Sequence, residues 1–187
     1  AIVQNSFTNT ASSLMVAKIQ GVIVDVLMPP LSSAELVLAF ALGGMTRGLV
    51  VGASVTIAMS FFAPMEIMHI WAVIFFAVTG ALSLSLMGLI AGVWAEKFDR
   101  MAVIQNFIIT PLAFLSGTFY SVERLPGIWY TLSQIDPFFY MIDGFRYGFI
   151  GRGDSSPLTG AIVMISIDIV LGVIAYQMFA RGYKIKS

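Results

Sequence analysis

The sequence predicts an all-α integral membrane protein. Three observations predict it. Of 187 residues, 58% are hydrophobic and only 11% charged, whereas a soluble domain carries about a quarter charged residues. The apolar residues come in runs long enough to cross a bilayer, which takes about 20 residues. Those runs are separated by short segments that hold nearly all the charge. A surface this poor in polar groups cannot be covered by water, so lipid is the solvent for much of it.

Four complete spans are expected. Residues 36–65 are interrupted only by Arg47 and, late, by Pro64. Residues 70–95 carry no charge. Residues 101–120 are polar only at Gln105, Asn106 and a few hydroxyls. Residues 158–180 carry one charge, Asp168. The opening stretch, residues 1–17, is mixed, with Gln4, Asn5, Asn9, Ser12 and Ser13, and reads as the end of an earlier span. Ala1 starts in mid-pattern with no leader-like segment, so the chain is expected to be a single transmembrane domain over 1–187 that lacks its first span and the start of its second.

Lys and Arg counts in short loops orient the spans. Residues 18–35, 96–100 and 181–187 hold Lys18, Lys97, Arg100, Arg181, Lys184 and Lys186. The other connections, 63–69 and 121–157, hold only Arg124, Arg146 and Arg152. The first set, and with it the C-terminus, is expected to be cytoplasmic.

Two segments are neither span nor ordinary loop. In residues 18–28, Ile19, Val22, Ile23, Val26 and Leu27 follow helical spacing, with Lys18, Gly21 and Asp25 opposite. That is an amphipathic helix too short to span. Pro29 and Pro30 end it. Ser32 and Glu35 then form a capping box for the next span. By pattern alone this helix fits a surface anchor as well as a docking element. On the other side, residues 125–135 and 138–150 are apolar-aromatic runs separated by Asp136 and Pro137. Backbone at membrane depth must satisfy its own hydrogen bonds, so both runs are expected to be helical, as a re-entrant or interfacial hairpin. Glycines at 44, 48 and 52, and at 88 and 92, are spaced for close helix packing.

Several function classes are excluded. Zero net charge gives no case for nucleic acid. With no cysteine and one histidine, His69, neither thiolate chemistry nor a His-rich metal site is available. There is no G-x-x-x-x-G-K-[ST] phosphate loop, no H-E-x-x-H and no G-x-S-x-G. Gly151, Gly153 and Asp154 match the G-x-G-D of intramembrane proteases, yet they lie in a polar loop beside Arg152 rather than in a span. Arg47 and Asp168 are the acidic and basic residues well inside the spans. They lie 12 residues after Glu35 and 13 before Arg181, roughly 18–20 Å deep at about 1.5 Å per residue. Opposite signs at one depth fit an ion pair, within the chain or across a dimer; they fit as well a separate solvation of each charge, with Arg47 in a polar path hinted at by Thr46, Arg47, Gln105, Asn106 and Asp168.

With the spans placed, the chain resembles the ABC-2 type permeases. The resemblance rests on Leu125-Pro126, then Pro137-Phe138-x-Tyr140 and Arg146. It extends to the preceding Pro111-Leu112-x-Phe114-Leu115-Ser116-Gly117 and to Asp25-x-Leu27-x-Pro29-Pro30-Leu31-Ser32, and so covers essentially the whole chain. It implies a non-catalytic, multi-pass permease subunit of a bacterial inner-membrane exporter, acting on polysaccharides, lipid-linked glycans, drugs or small signal molecules. No cofactor belongs to the chain itself: ATP is bound by a separate P-loop ATPase, and a second permease copy completes the transporter. The segment with Asp25, Leu27, Met28, Pro29 and Pro30 becomes the coupling helix. The segment with Pro126, Pro137, Tyr140 and Arg146 becomes the outer hairpin. A non-transporting scaffold or sensor is the alternative.

Overall fold

The computed structural model describes residues 1–22, 31–62, 66–95, 97–116 and 136–182. Within them the chain is helical: α1 (Ile2–Ile19), α2 (Ser33–Ser60), α3 (Ile70–Trp94), α4 (Phe98–Ile104), a π turn (Gln105–Ile109), α5 (Thr110–Leu115), α6 (Pro137–Ile150) and α7 (Pro157–Ala180). Four helical stretches are long and apolar enough to cross a membrane: α2, α3, the continuous Phe98–Leu115 and α7.

Local sequence sets the ends. The Ser32 side chain accepts from the Glu35 N–H, and the Glu35 carboxylate accepts from the Ser32 N–H at 2.7 Å, which is the expected capping box. Asp136 caps α6 by accepting from the Phe138 N–H at 3.0 Å, Pro137 takes the first helical position, and Gly151 closes the helix at φ 73°. The π turn precedes Pro111. A proline ring clashes with the carbonyl four residues back. The wider turn relieves that clash, and the Thr110 hydroxyl donates to the Gln105 carbonyl at 2.9 Å.

One expected boundary is corrected. Lys18 and Ile19 do not open an amphipathic helix; they form the last turn of α1, and Gly21 follows at φ 72°. The Lys18 ammonium donates to the carbonyls of Gly92, Val93 and Ala95 at 3.3, 2.7 and 3.2 Å. These are the orphan acceptors at the C-terminus of α3, and holding them keeps α1 helical to this point. Asp25, Leu27, Met28, Pro29 and Pro30 lie outside the described residues, as does Pro126.

Packing centres on α1, which lies between α2 and α3. Both glycine rows meet it. A Cβ at Gly88 would overlap the Phe7 carbonyl, and one at Gly92 would stand 3.1 Å from the Ala11 carbonyl. On α2, Gly44, Gly48 and Gly52 sit against Thr10, Ser6 and Ile2. With the backbones this close, hydroxyls join the helices: Thr10 and Ser85 share a hydrogen bond of 2.7 Å, and Ser85 donates to the Ala41 carbonyl at 2.9 Å.

The helix α6 runs antiparallel along the first half of α3. Its Gly148 lies on Val73, its Gly144 on Phe76, and Met141 on Gly80. Pro137 and Phe138 reach as deep as Ser83 and Met87. At the surface end the His69 N–H donates to the Gly148 carbonyl at 2.9 Å, and the His69 ring stacks on Tyr147 at 4.7 Å. Most of α7 and of Phe98–Leu115 presents apolar side chains outward, Phe107 and Ile169 among them, as lipid-facing helices do.

Candidate functional site: an uncovered polar face and two intramembrane charges

The helix α1 has two faces. Ser6, Phe7, Thr10, Ala11, Leu14 and Met15 are buried. Gln4, Asn5, Thr8, Asn9, Ser12 and Ser13, at helical spacing, are half-buried or exposed. So the outward face of a helix lying alongside two membrane-spanning helices is lined with amides and hydroxyls. Toward the start of α1, Ile2, Val3 and Gln4 border a cavity of about 520 Å³. Its far walls are Val55 and Thr56 of α2, Thr110 and Phe114 of α5, and Met141 and Phe145 of α6.

Arg47 belongs to this face. Its position between Gly44 and Gly48 suggests the packed side of α2, but the structure corrects this. The glycines are buried against α1 while Arg47 is exposed beside them. Its guanidinium donates to the Asn9 side-chain oxygen at 2.7 Å, the one hydrogen bond it makes among the described residues. Asp168 is elsewhere, on α7, where its carboxylate accepts from the Ser83 hydroxyl of α3. Within the chain the expected Arg47–Asp168 pair is therefore not formed. Equal depth is not proximity: α2 and α7 do meet, at Phe40 and Phe179, but Arg47 is turned to Asn9 of α1 and Asp168 to Ser83 of α3.

Asn9 and Ser83, the partners of these two charges, are the residues that sequence reasoning missed. The signal for Asn9 was its place in a row of polar residues four apart. Ser83 had none, since single serines are common in membrane helices.

The other expected site residues fall on α6. Pro137 begins it. Tyr140 makes an edge-to-face contact with Phe139 at 5.1 Å. Arg146 pairs with Asp154 at 3.3 Å. The segment is tied down by a residue that spacing did not single out. Asp143, almost fully buried, accepts from the Asp154 and Ser155 backbone N–H groups at 2.7 and 2.8 Å and from the Ser155 hydroxyl at 2.7 Å. The G-x-G-D stretch is thus a loop between α6 and α7, pinned to α6. Asp136, also buried, accepts from the Ser116 hydroxyl at 2.8 Å and from the Phe138 N–H at 3.0 Å.

The family model for ABC-2 type transporters matches residues 1–150. The chain belongs to this family. The inner membrane transport permease YadH of Escherichia coli (strain K12) is 37% identical over 190 residues, covering 100% of this chain and 73% of YadH. Nodulation protein J of Rhizobium leguminosarum bv. trifolii is 32% identical over 76 residues, 41% of this chain and 29% of its own length. No solved structure matches. The chain is a multi-pass ABC-2 transport permease subunit of the inner membrane, and membership of the family implies an ABC ATPase as its general partner. For such a permease, a polar face at membrane depth that the described helices leave uncovered is the place to look for the path.

Proposed function

We propose that this permease is the membrane half of an ATP-driven exporter and that the outward face of α1, with Arg47, is its share of the translocation path. The observation that carries this reading is the row Gln4, Asn5, Thr8, Asn9, Ser12 and Ser13 on a side of α1 that the described helices leave uncovered. In hydrocarbon such a row is costly; facing a water-filled path it is not. The path is completed by a second copy of the chain, residues 1–187 acting as one transmembrane unit in each. The cargo is a lipid-linked, polysaccharide or drug-like molecule. Lys and Arg placement supports a cytoplasmic C-terminus. The outer segment with Pro126, Pro137, Tyr140 and Arg146 closes the far end of the path, at the surface of membrane lipid.

Energy enters from a separate ATPase, because the chain has no phosphate-binding loop. The residues that receive it are Asp25, Leu27, Met28, Pro29 and Pro30. Asp25 offers a charge to a basic rim and Leu27 or Met28 an apolar plug; removing such a plug costs about 2 kcal/mol at an interface. Leu27→Ala combined with Asp25→Ala is expected to reduce co-purification of the ATPase at least tenfold while membrane insertion is kept. Unchanged co-purification together with unchanged ATP-driven export would return this segment to the role of a surface anchor.

A further inference from the structure

We propose that Arg47, braced by Asn9, is a recognition point for an anionic group, a phosphate or carboxylate, carried by the cargo. The inference rests on the reading of the α1 face as a path and deepens it. A charge at this depth must be paired or wetted. Among the described residues Arg47 has no acidic partner, and its one hydrogen bond goes to the neutral oxygen of Asn9. A guanidinium has five N–H donors in a planar fork. Asn9 satisfies part of one edge and fixes the side chain on the path side of α2, leaving the remaining donors for an oxyanion. Asn9 adds donors of its own, since its amide N–H groups have no partner among the described residues.

Among the described residues the approach is open. Gly43 lies one turn from Arg47 on the same side of α2, and a Cβ built there meets nothing within 4 Å. Across the face, exposed Ser13 lies one turn from Asn9 on α1, adding a hydroxyl. Arginine suits the task because its planar fork grips phosphate or carboxylate through two parallel hydrogen bonds. Asp168 offers no competing salt bridge, being held by Ser83 on α7's side of α3. A neutral glycan or an apolar drug would leave the guanidinium without a counter-charge, so charge complementarity selects an acidic cargo.

The chain's lack of cysteine makes a direct test possible. Gly43→Cys places a thiol one helical turn from Arg47 without disturbing packing. The full permease, assembled with its ATPase in phosphatidylcholine vesicles and with any cysteine elsewhere in the complex replaced, is treated with a sulfonate-bearing or an ammonium-bearing methanethiosulfonate. With Arg47 present the anionic reagent is expected to react about tenfold faster than the cationic one, as one charge at about 6 Å in a partly wet site dictates. Arg47→Gln should erase that preference, and Arg47→Lys should restore part of it. Millimolar inorganic pyrophosphate should slow anionic labelling only while Arg47 is present. Equal rates for both reagents, unaffected by Arg47→Gln, overturn the anion site and leave the path reading standing. No labelling by either reagent means a dry face and overturns both. If added phosphatidylglycerol suppresses the preference and pyrophosphate does not, the guanidinium holds a lipid headgroup and the cargo assignment is wrong.

Discussion

The two faces of α1 differ in geometry more than in composition. Its inner face holds hydroxyls as well as apolar groups, Ser6 and Thr10 beside Phe7 and Leu14, and all of them are buried against glycines of α2 and α3. Its outer face carries amides and hydroxyls that the described helices leave uncovered. In water the hydrophobic effect sorts polar from apolar faces. In a bilayer it does not, and association depends on close approach and interhelical hydrogen bonds. The inner face is therefore marked by its partners' glycines, and the outer one by side chains too polar for lipid.

The largest expected effect tests the inner face. Gly88→Leu would drive a side chain into the Phe7 backbone carbonyl, which cannot move without moving α1. Overpacking typically costs about 1–3 kcal/mol, and a backbone obstacle places this site at the upper end. Detergent-solubilised protein should lose its monodisperse peak on size-exclusion chromatography. Ser13→Leu, an equal change on the outer face, should keep that peak. If both variants behave alike, the distinction between the faces is wrong.

A somewhat smaller effect extends the contrast to α6, whose inner face also combines glycines with a polar group. Asp143→Ala leaves the half-buried Asp154 and Ser155 N–H groups without their acceptor, at about 1 kcal/mol for each, the low end for an unsatisfied donor because water can reach the loop. Asp143→Asn, which keeps one acceptor oxygen, should be milder. The readout is the apparent melting temperature together with protease cleavage in the 151–156 loop. Cleavage equal to that of the unaltered protein would mean the loop is held by the Arg146–Asp154 pair instead.

The smallest effect concerns Asp136, which caps α6 by accepting from the Phe138 N–H and ties it to the end of the Phe98–Leu115 span by accepting from the Ser116 hydroxyl. Losing an N-cap typically costs about 1 kcal/mol. Asp136→Ala should therefore lower the apparent melting temperature slightly, and Asp136→Asn, which keeps an acceptor, should lower it less. An Asp136→Ala variant as stable as the unaltered protein would mean that Pro137 alone starts the helix.

Much of the fold was legible before any coordinates. Span lengths follow from bilayer thickness, and Ser32 with Glu35 marked the start of α2 because capping is local chemistry. The end of α1 was not legible. The amphipathic period through Lys18 and Ile19 is real, yet Lys18 serves the carbonyls at the end of α3, 74 to 77 residues away, and no local pattern encodes that. The glycines of α6 escaped notice because Gly144 and Gly148 sit among aromatics that dominate the composition.

The two charges divide along the same line. The sequence by itself determined that Arg47 and Asp168 lie at one depth, since the rise per residue is fixed and each can be counted from a charged helix end. It could not determine which way they face. Depth is a property of one helix, whereas pairing depends on how several helices are rotated about their axes. That rotation is set by glycine contacts between segments far apart in the chain. Only the tertiary structure gave Arg47 to Asn9 on an open face and Asp168 to Ser83 between two helices, and so separated a candidate contact for cargo from a polar link within the bundle.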